Sequence, residues 1–87
     1  STVFSELFGP QGAEIFFRPA QVYDLVGTEV DFRDVRRSAA RYGEIALGVR
    51  LRDGAGTPDG GIRLNPPPEV RWRLTDADEV ILLATGE

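Results

Sequence analysis

Between Glu44 and Arg52 apolar and polar positions alternate with a period of two, Ile45, Leu47, Val49 and Leu51 on one side and Ala46, Gly48, Arg50 and Arg52 on the other. That spacing predicts a strand packed on one face. Immediately upstream the period becomes helical. At 100° per residue Phe32, Val35, Ala39 and Tyr42 fall within an arc of roughly 80°, with Arg33, Arg37 and Arg41 opposite. Asp31 suits the N-cap and Gly43 the left-handed C′ position, so a helix is expected over 32–42, its apolar face on Leu47, Val49 and Val80.

The rest of the chain reads mostly as short strands. Glu14 to Arg18 is a β-rich pentad closed by Pro19, with Ile15 and Phe17 on one side, and residues 21–30 read as irregular structure with a turn at Gly27. Asp53 to Gly61, with Gly54, Gly56, Pro58, Gly60 and Gly61, is expected to be a long, mobile hairpin loop. Ile62 to Asn65 returns as a strand and stops at Pro66-Pro67-Pro68, whose nitrogens cannot extend a ladder. Val70, Trp72 and Leu74 alternate with Arg71 and Arg73 in another strand. The most apolar run, Glu79 to Thr85, is expected to be a strand covered on both faces. Val3 to Phe8 carries apolar residues at helical spacing and ends at Gly9-Pro10, which suits the tail of a helix begun upstream. The chain therefore divides into a helix tail or linker over 1–11 and one domain over 12–87.

Composition narrows the chemistry. The 87 residues contain no Cys, His, Met or Lys. Cysteine and imidazole catalysis, Schiff-base chemistry, structural zinc and disulfides are thereby excluded. Because the chain begins Ser1-Thr2-Val3 rather than with Met, it is expected to be cut or matured from a longer protein. A domain of this size buries only about 60–65% of its unfolded surface, so the core is thin and a homodimer is expected. The net charge of −4 argues against nucleic acid as a partner. Residues 31–42 are the exception, with four Arg against Asp31 and Asp34. No apolar run approaches the roughly 20 residues of a membrane span.

The stretches Glu14-Ile15-Phe16-Phe17, Gly43 to Arg50, Gly61-Ile62-Arg63-Leu64-Asn65-Pro66-Pro67 and Asp78 to Ala84 resemble the C-terminal regulatory half of Castor/Pollux-type ion-channel proteins. These in turn look like the C-terminal (TrkA-C-like) subdomain of potassium-conductance regulators. The resemblance implies an α+β fold, a small β-rich domain with one principal helix packed on a mostly antiparallel sheet. It also implies a cytoplasmic regulatory or ligand-sensing module, not an enzyme, attached to an upstream Rossmann-like subdomain and a membrane pore. The dinucleotide GxGxxG pattern is missing here, and no cofactor is expected in this segment. One departure is Ala77-Asp78, where the family tends to have Gly-Asp. Either this turn is of another type or Ala77 carries about 1 kcal/mol of left-handed strain.

Arg50 and Arg63, expected side by side on neighbouring strands close to Asn65, with Ala46 and Gly48 leaving room above the sheet, would suit a small anionic ligand. Small residues there suit close packing equally. Arg33, Arg37 and Arg41 form a second anion candidate whose alternative is a solvated helix face. Asp76, Asp78 and Glu79 lack the oxygen spacing of a calcium loop, so no metal site is expected. A carboxylate hydrolase would need a cleft around such a pair, and no such cleft is expected. The competing readings are a regulatory, ligand-sensing module of an ion channel and a structural dimerisation domain with no small-molecule ligand.

Overall fold

A computed structural model describes residues 12–85. The expected helix tail over Val3–Phe8 lies outside the described residues. The described chain runs β1 (Ala13–Pro19), β2 (Glu29–Asp31), α1 (Phe32–Ala40), β3 (Ile45–Arg50), β4 (Ile62–Leu64), β5 (Arg71–Arg73) and β6 (Glu79–Thr85), with 3₁₀ turns at Ala20–Tyr23 and Arg52–Gly54. Four strands form one sheet in the order β1-β6-β3-β4, and β2 pairs with β5 in a separate ribbon. Every pairing is antiparallel. The fold is thus α+β, with a single α-helix among the described residues packed on a mostly sheet domain, as expected.

The helix forms where its caps place it. Asp31, extended at φ −118°, accepts the Asp34 N–H at 3.1 Å, and Asp34 accepts the Asp31 N–H at 3.0 Å, a reciprocal capping box. At the far end Gly43 adopts φ +72°, and the Gly43 and Glu44 N–H groups donate to the Ala40 and Ala39 carbonyls. This Schellman closure needs a left-handed residue, which glycine supplies without a Cβ clash. It also corrects the expected extent of the helix. Regular α-geometry stops at Ala40, so Tyr42 leaves the apolar stripe and is 59% exposed, its ring edge-on to Tyr23 at 5.3 Å.

Phe32, Val35 and Ala39 meet Ala46, Val49, Val80 and Leu82 in the core, closed by Ala20, Tyr23, Leu25, Val30 and Leu74. Ala46 rather than Leu47 faces the helix because β3 carries a bulge. Ala46 pairs with Leu82 and Gly48 with Ile81, leaving Leu47 as the extra residue. A bulge inverts which side later residues face, so the strict alternation expected for β3 fails there. The ribbon contributes through Val30, opposite Trp72. Of its two strands β5 lies where a strand was expected, while β2 falls in the stretch expected to be irregular, because Glu29-Val30-Asp31 is too short to show a period.

Among the described residues no helix lies on the sheet's second face. Paired residues point to the same side, so this face carries Ile15 and Phe17 from β1, Ile81 and Leu83 from β6, Ile45 and Arg50 from β3, and Leu64 from β4. Ile81 is nonetheless 3% exposed and Leu83 half-buried, so the expectation that β6 is covered on both faces holds at the middle of the strand. The β3–β4 loop, expected to be long and mobile, is organised as successive turns, with Gly54, Thr57, Gly60 and Ile62 N–H groups donating to Leu51, Gly54, Thr57 and Asp59 carbonyls. Ala77 shows no positive φ, so its turn is of another type and carries no left-handed strain.

Val35 is fully buried and Arg37 exposed, which sets a contrast. Val35→Asp is expected to cost at least about 3 kcal/mol through an unpaired buried carboxylate, and Arg37→Asp under about 1 kcal/mol. Melting followed by circular dichroism measures both, and equal melting temperatures would show the helix faces to be misassigned. A second expectation concerns pH. Arg33, and then the Asp34 N–H, hold the Asp31 carboxyl below its ordinary value of 3.8. A depressed folded-state value stabilises the fold above the unfolded value, and that contribution disappears as pH falls through the folded one. Asp31→Ala should therefore melt lower than the parent at pH 7, and the gap should narrow below about pH 4.

Candidate functional site

Arg50 leaves β3 on the open face, and Arg63 leaves β4 on the other. The register decides this, since Arg50 pairs with Ile62 while Arg63 pairs with Val49. The two arginines are not brought together. Nor is there room above Gly48, because a Cβ there would lie 2.2 Å from the Arg63 carbonyl oxygen, so this glycine serves close approach of β4. Asn65 takes φ +45° and donates its N–H to the Leu47 carbonyl at 2.8 Å, ending the β3–β4 hairpin. Arg63 is occupied by Asp59 at 2.8 Å, in a carboxylate that also receives the Thr57 hydroxyl and Gly61 N–H. Those contacts, Thr57 foremost, lower the Asp59 pKa.

Arg50 finds different company. Its Nε donates to Glu79 Oε1 at 2.7 Å, its Nη2 reaches the same oxygen, and the guanidinium carbon lies 4.3 Å from the Phe17 ring centroid. A planar cation held by a carboxylate and stacked on an aromatic face is fixed in orientation. Beside it opens a concavity of about 650 Å³, bordered by Arg50, Arg52, Ala55, Gly60, Ala77 and Glu79. Two guanidinium groups against one carboxylate give it a positive balance. The chain turns there because the Arg52 N–H donates to Asp78 Oδ1 at 2.9 Å, which aims the exposed Arg52 side chain outward.

Asp78 itself is buried and accepts from the Thr75 N–H and hydroxyl as well as from Arg52. Its oxygens are committed to the fold. Among the described residues no group of three or more acidic side chains is arranged to hold a metal ion. The arginine stripe on α1 is largely neutralised by the helix's own cap, Arg33 by Asp31 at 2.9 Å and Arg37 by Asp34 at 3.1 Å. Arg41 borders a shallow concavity that also contains Glu29 and Asp34. The stripe behaves as a solvated face.

Two features escaped the sequence reading. Arg52, not Arg63, accompanies Arg50. The signal was present, since Arg50 and Arg52 are two apart on one side of the alternation. The second is a polar node at the sheet edge, where Tyr23 donates to Glu44 at 2.6 Å and Arg18 to both, at 3.3 and 2.5 Å. Burial, then the hydrogen bond to Glu44, pushes the Tyr23 phenol pKa up. Its members lie far apart in the chain, and no spacing rule links them.

No family model matches the chain. It is similar to "Probable ion channel CASTOR" of Oryza sativa subsp. japonica, 35% identical over 83 residues, covering 95% of this chain and 9% of that protein. It is likewise 38% identical over 82 residues to "Probable ion channel POLLUX" of Arabidopsis thaliana, with 91% of this chain and 9% of the relative covered. "Ion channel CASTOR" of Lotus japonicus is 32% identical over 82 residues, with the same shares covered. The chain thus spans about a tenth of the length of the curated relatives it matches. Over nearly its whole length it is similar to one domain-sized stretch of proteins named as the ion channels CASTOR and POLLUX.

Proposed function

We propose that this chain is a regulatory domain of an ion channel or ion transporter of the potassium-conductance-regulator type, not an enzyme, and that it senses a small anion. The observation that carries the reading is the 32–38% identity, over more than nine-tenths of the chain, to proteins named as ion channels. Among the described residues no helix is long and apolar enough to cross a membrane. In this reading the domain sits at the cytoplasmic side of a membrane assembly, and the pore and a Rossmann-like subdomain are supplied by other parts of the parent protein.

The concavity at Arg50 and Arg52 supports the ligand-sensing part. Guanidinium groups are the only cationic side chains this chain possesses, and they donate to phosphate or carboxylate oxygens in pairs. Arg50 is pre-oriented by Glu79 and Phe17, and Arg52 is exposed at the border of the same concavity. The carboxylate of Glu79 sets a limit, since it repels any anion that does not displace it from Arg50. Such a site favours a ligand with several anionic oxygens.

A thermal-shift series with inorganic phosphate, ADP, ATP and cyclic dinucleotides tests this, because a ligand that binds only the folded state raises the melting temperature by mass action. At least one phosphate compound is expected to raise it, and Arg52→Ala is expected to weaken that compound roughly tenfold or more, the scale of a charge-assisted hydrogen bond. No shift with any compound at millimolar concentration, or an affinity unchanged by Arg52→Ala, overturns the anion site.

A further inference from the structure

A second hollow lies at the β4 end of the sheet, and the proposed function leaves it unused. It has a volume of about 370 Å³, walled by Ile62 and Leu64 of β4, by Pro66, Pro67 and Val70 of the segment that follows, and by Trp72 of β5. Arg63 and Asp59 are its charged members. Successive residues of a strand point to opposite faces, so a hollow bordered by Ile62, Arg63 and Leu64 together runs along the strand's edge. β3 takes one edge of β4, and β4 is the outermost strand of its sheet, so the hollow lies along the free edge. It shares no lining residue with the concavity at Arg50 and Arg52. Its walls are built in. Asn65, at φ +45°, turns the chain out of β4, Pro66 is buried, and the Val70 N–H donates to the Pro67 carbonyl at 3.1 Å to close a turn. Trp72 is half-buried and packs on the core. Mostly apolar walls with one or two placed polar groups are the usual form of a small-molecule site.

We propose that this groove binds a small monocarboxylate with an apolar body, an aryl- or alkyl-carboxylate. The apolar body follows from the walls, where an indole, two proline rings and three aliphatic side chains gain by losing water to a guest. The carboxylate follows from Arg63. Its contacts with Asp59 Oδ2 at 2.8 Å and with the Ile62 carbonyl at 3.0 Å both use Nη1. The fork of Nε and Nη2, whose parallel N–H groups match the two oxygens of a carboxylate, stands outside those contacts. Asp59 is poorly placed to draw a cation instead. Its Oδ1 already receives the Thr57 hydroxyl at 2.7 Å and the Gly61 N–H at 3.0 Å, and its Oδ2 receives Arg63. It holds the guanidinium in place, as Glu79 holds Arg50. A single cation among apolar walls suits a single carboxylate, whereas a polyphosphate would bring several charges out of water against side chains that cannot pair with them. The volume lies near the lower end of the range for ligand pockets, which limits the guest to one ring or a short chain.

Trp72 is the single tryptophan of the chain, so its fluorescence reports on the groove directly. The probe is phenylacetate, with phenylacetamide and phenethylamine as the matched neutral and cationic compounds. Phenylacetate is expected to change the Trp72 emission saturably at millimolar concentration or below. The amide and the amine are expected to bind at least about tenfold more weakly, and Arg63→Gln should weaken phenylacetate by a similar factor, the scale of a charge-assisted hydrogen bond. Val70→Glu, at an exposed position on the border, should weaken it as well by setting a like charge against the guest. The comparison of the three compounds uses the parent chain alone, so a folding defect in either variant leaves the test intact. The absence of a saturable change with phenylacetate overturns the proposal, as does equal affinity for the three compounds or an affinity unchanged by either substitution in a folded variant. Arg52→Ala should leave the phenylacetate titration as it is, which keeps this result separate from that of the anion site at Arg50 and Arg52. A loss of phenylacetate binding in Arg52→Ala would place the carboxylate in that other concavity and overturn the groove.

Discussion

The last strand of the chain occupies the middle of its sheet, and the other elements are arranged around it. β6 pairs along its whole length with β1 and over most of it with β3, so neither outer half of the sheet exists without it. Its entry is fixed by one buried residue. The Asp78 carboxylate takes the Arg52 N–H and the Thr75 N–H and hydroxyl, and its backbone carbonyl takes the Ala20 N–H at 2.9 Å. The start of β6, the turn after β1 and the turn after β3 thus converge on a single aspartate. A buried carboxylate is tolerable only when so satisfied. The cost is kinetic. The first strand must wait for the last, so loop closure over nearly the whole domain precedes the reward of sheet pairing.

Around that strand the apolar core is small, and polar contacts close its margins. Tyr23 is nearly wholly buried, and its hydroxyl reaches Glu44, which Arg18 also holds. The node joins the end of β1, the following turn and the approach to β3, at the edge where the helix ends. Removing one member would leave the others partly desolvated and unpaired, which costs more than the bond itself contributes. This is how a small domain keeps a defined edge without the disulfides that such domains often use.

What the sequence revealed and what it hid divide along the range of the interactions involved. The helix start at Asp31, its stop at Gly43, the loop after Arg52 and the stop at Pro66 are local, and each was legible because the responsible residue sits at the boundary it makes. The core residues of α1 were legible through Ala39 for the same reason. Tyr42 was not, because the closing turn at Gly43 takes it off the helical path. The bulge in β3 was hidden because Ala46 and Leu47 are both apolar, so a slip of one residue leaves the hydrophobic pattern looking intact. That slip is also why Arg50 and Ala46 part company. The expected pairing of Arg50 with Arg63 failed on register, which no residue in either strand announces.

Arg50 is where the two surfaces of the domain meet. One edge of its guanidinium borders the concavity with Arg52, while its plane lies on Phe17 in the open face. Glu79 holds it from the neighbouring strand. Moving Arg50 off Glu79 would leave a carboxylate unpaired on a face that is otherwise apolar, and would also take the guanidinium off the Phe17 ring. The ion pair and the stack therefore hold one side chain from two strands, β6 and β1, and each restrains the geometry of the other.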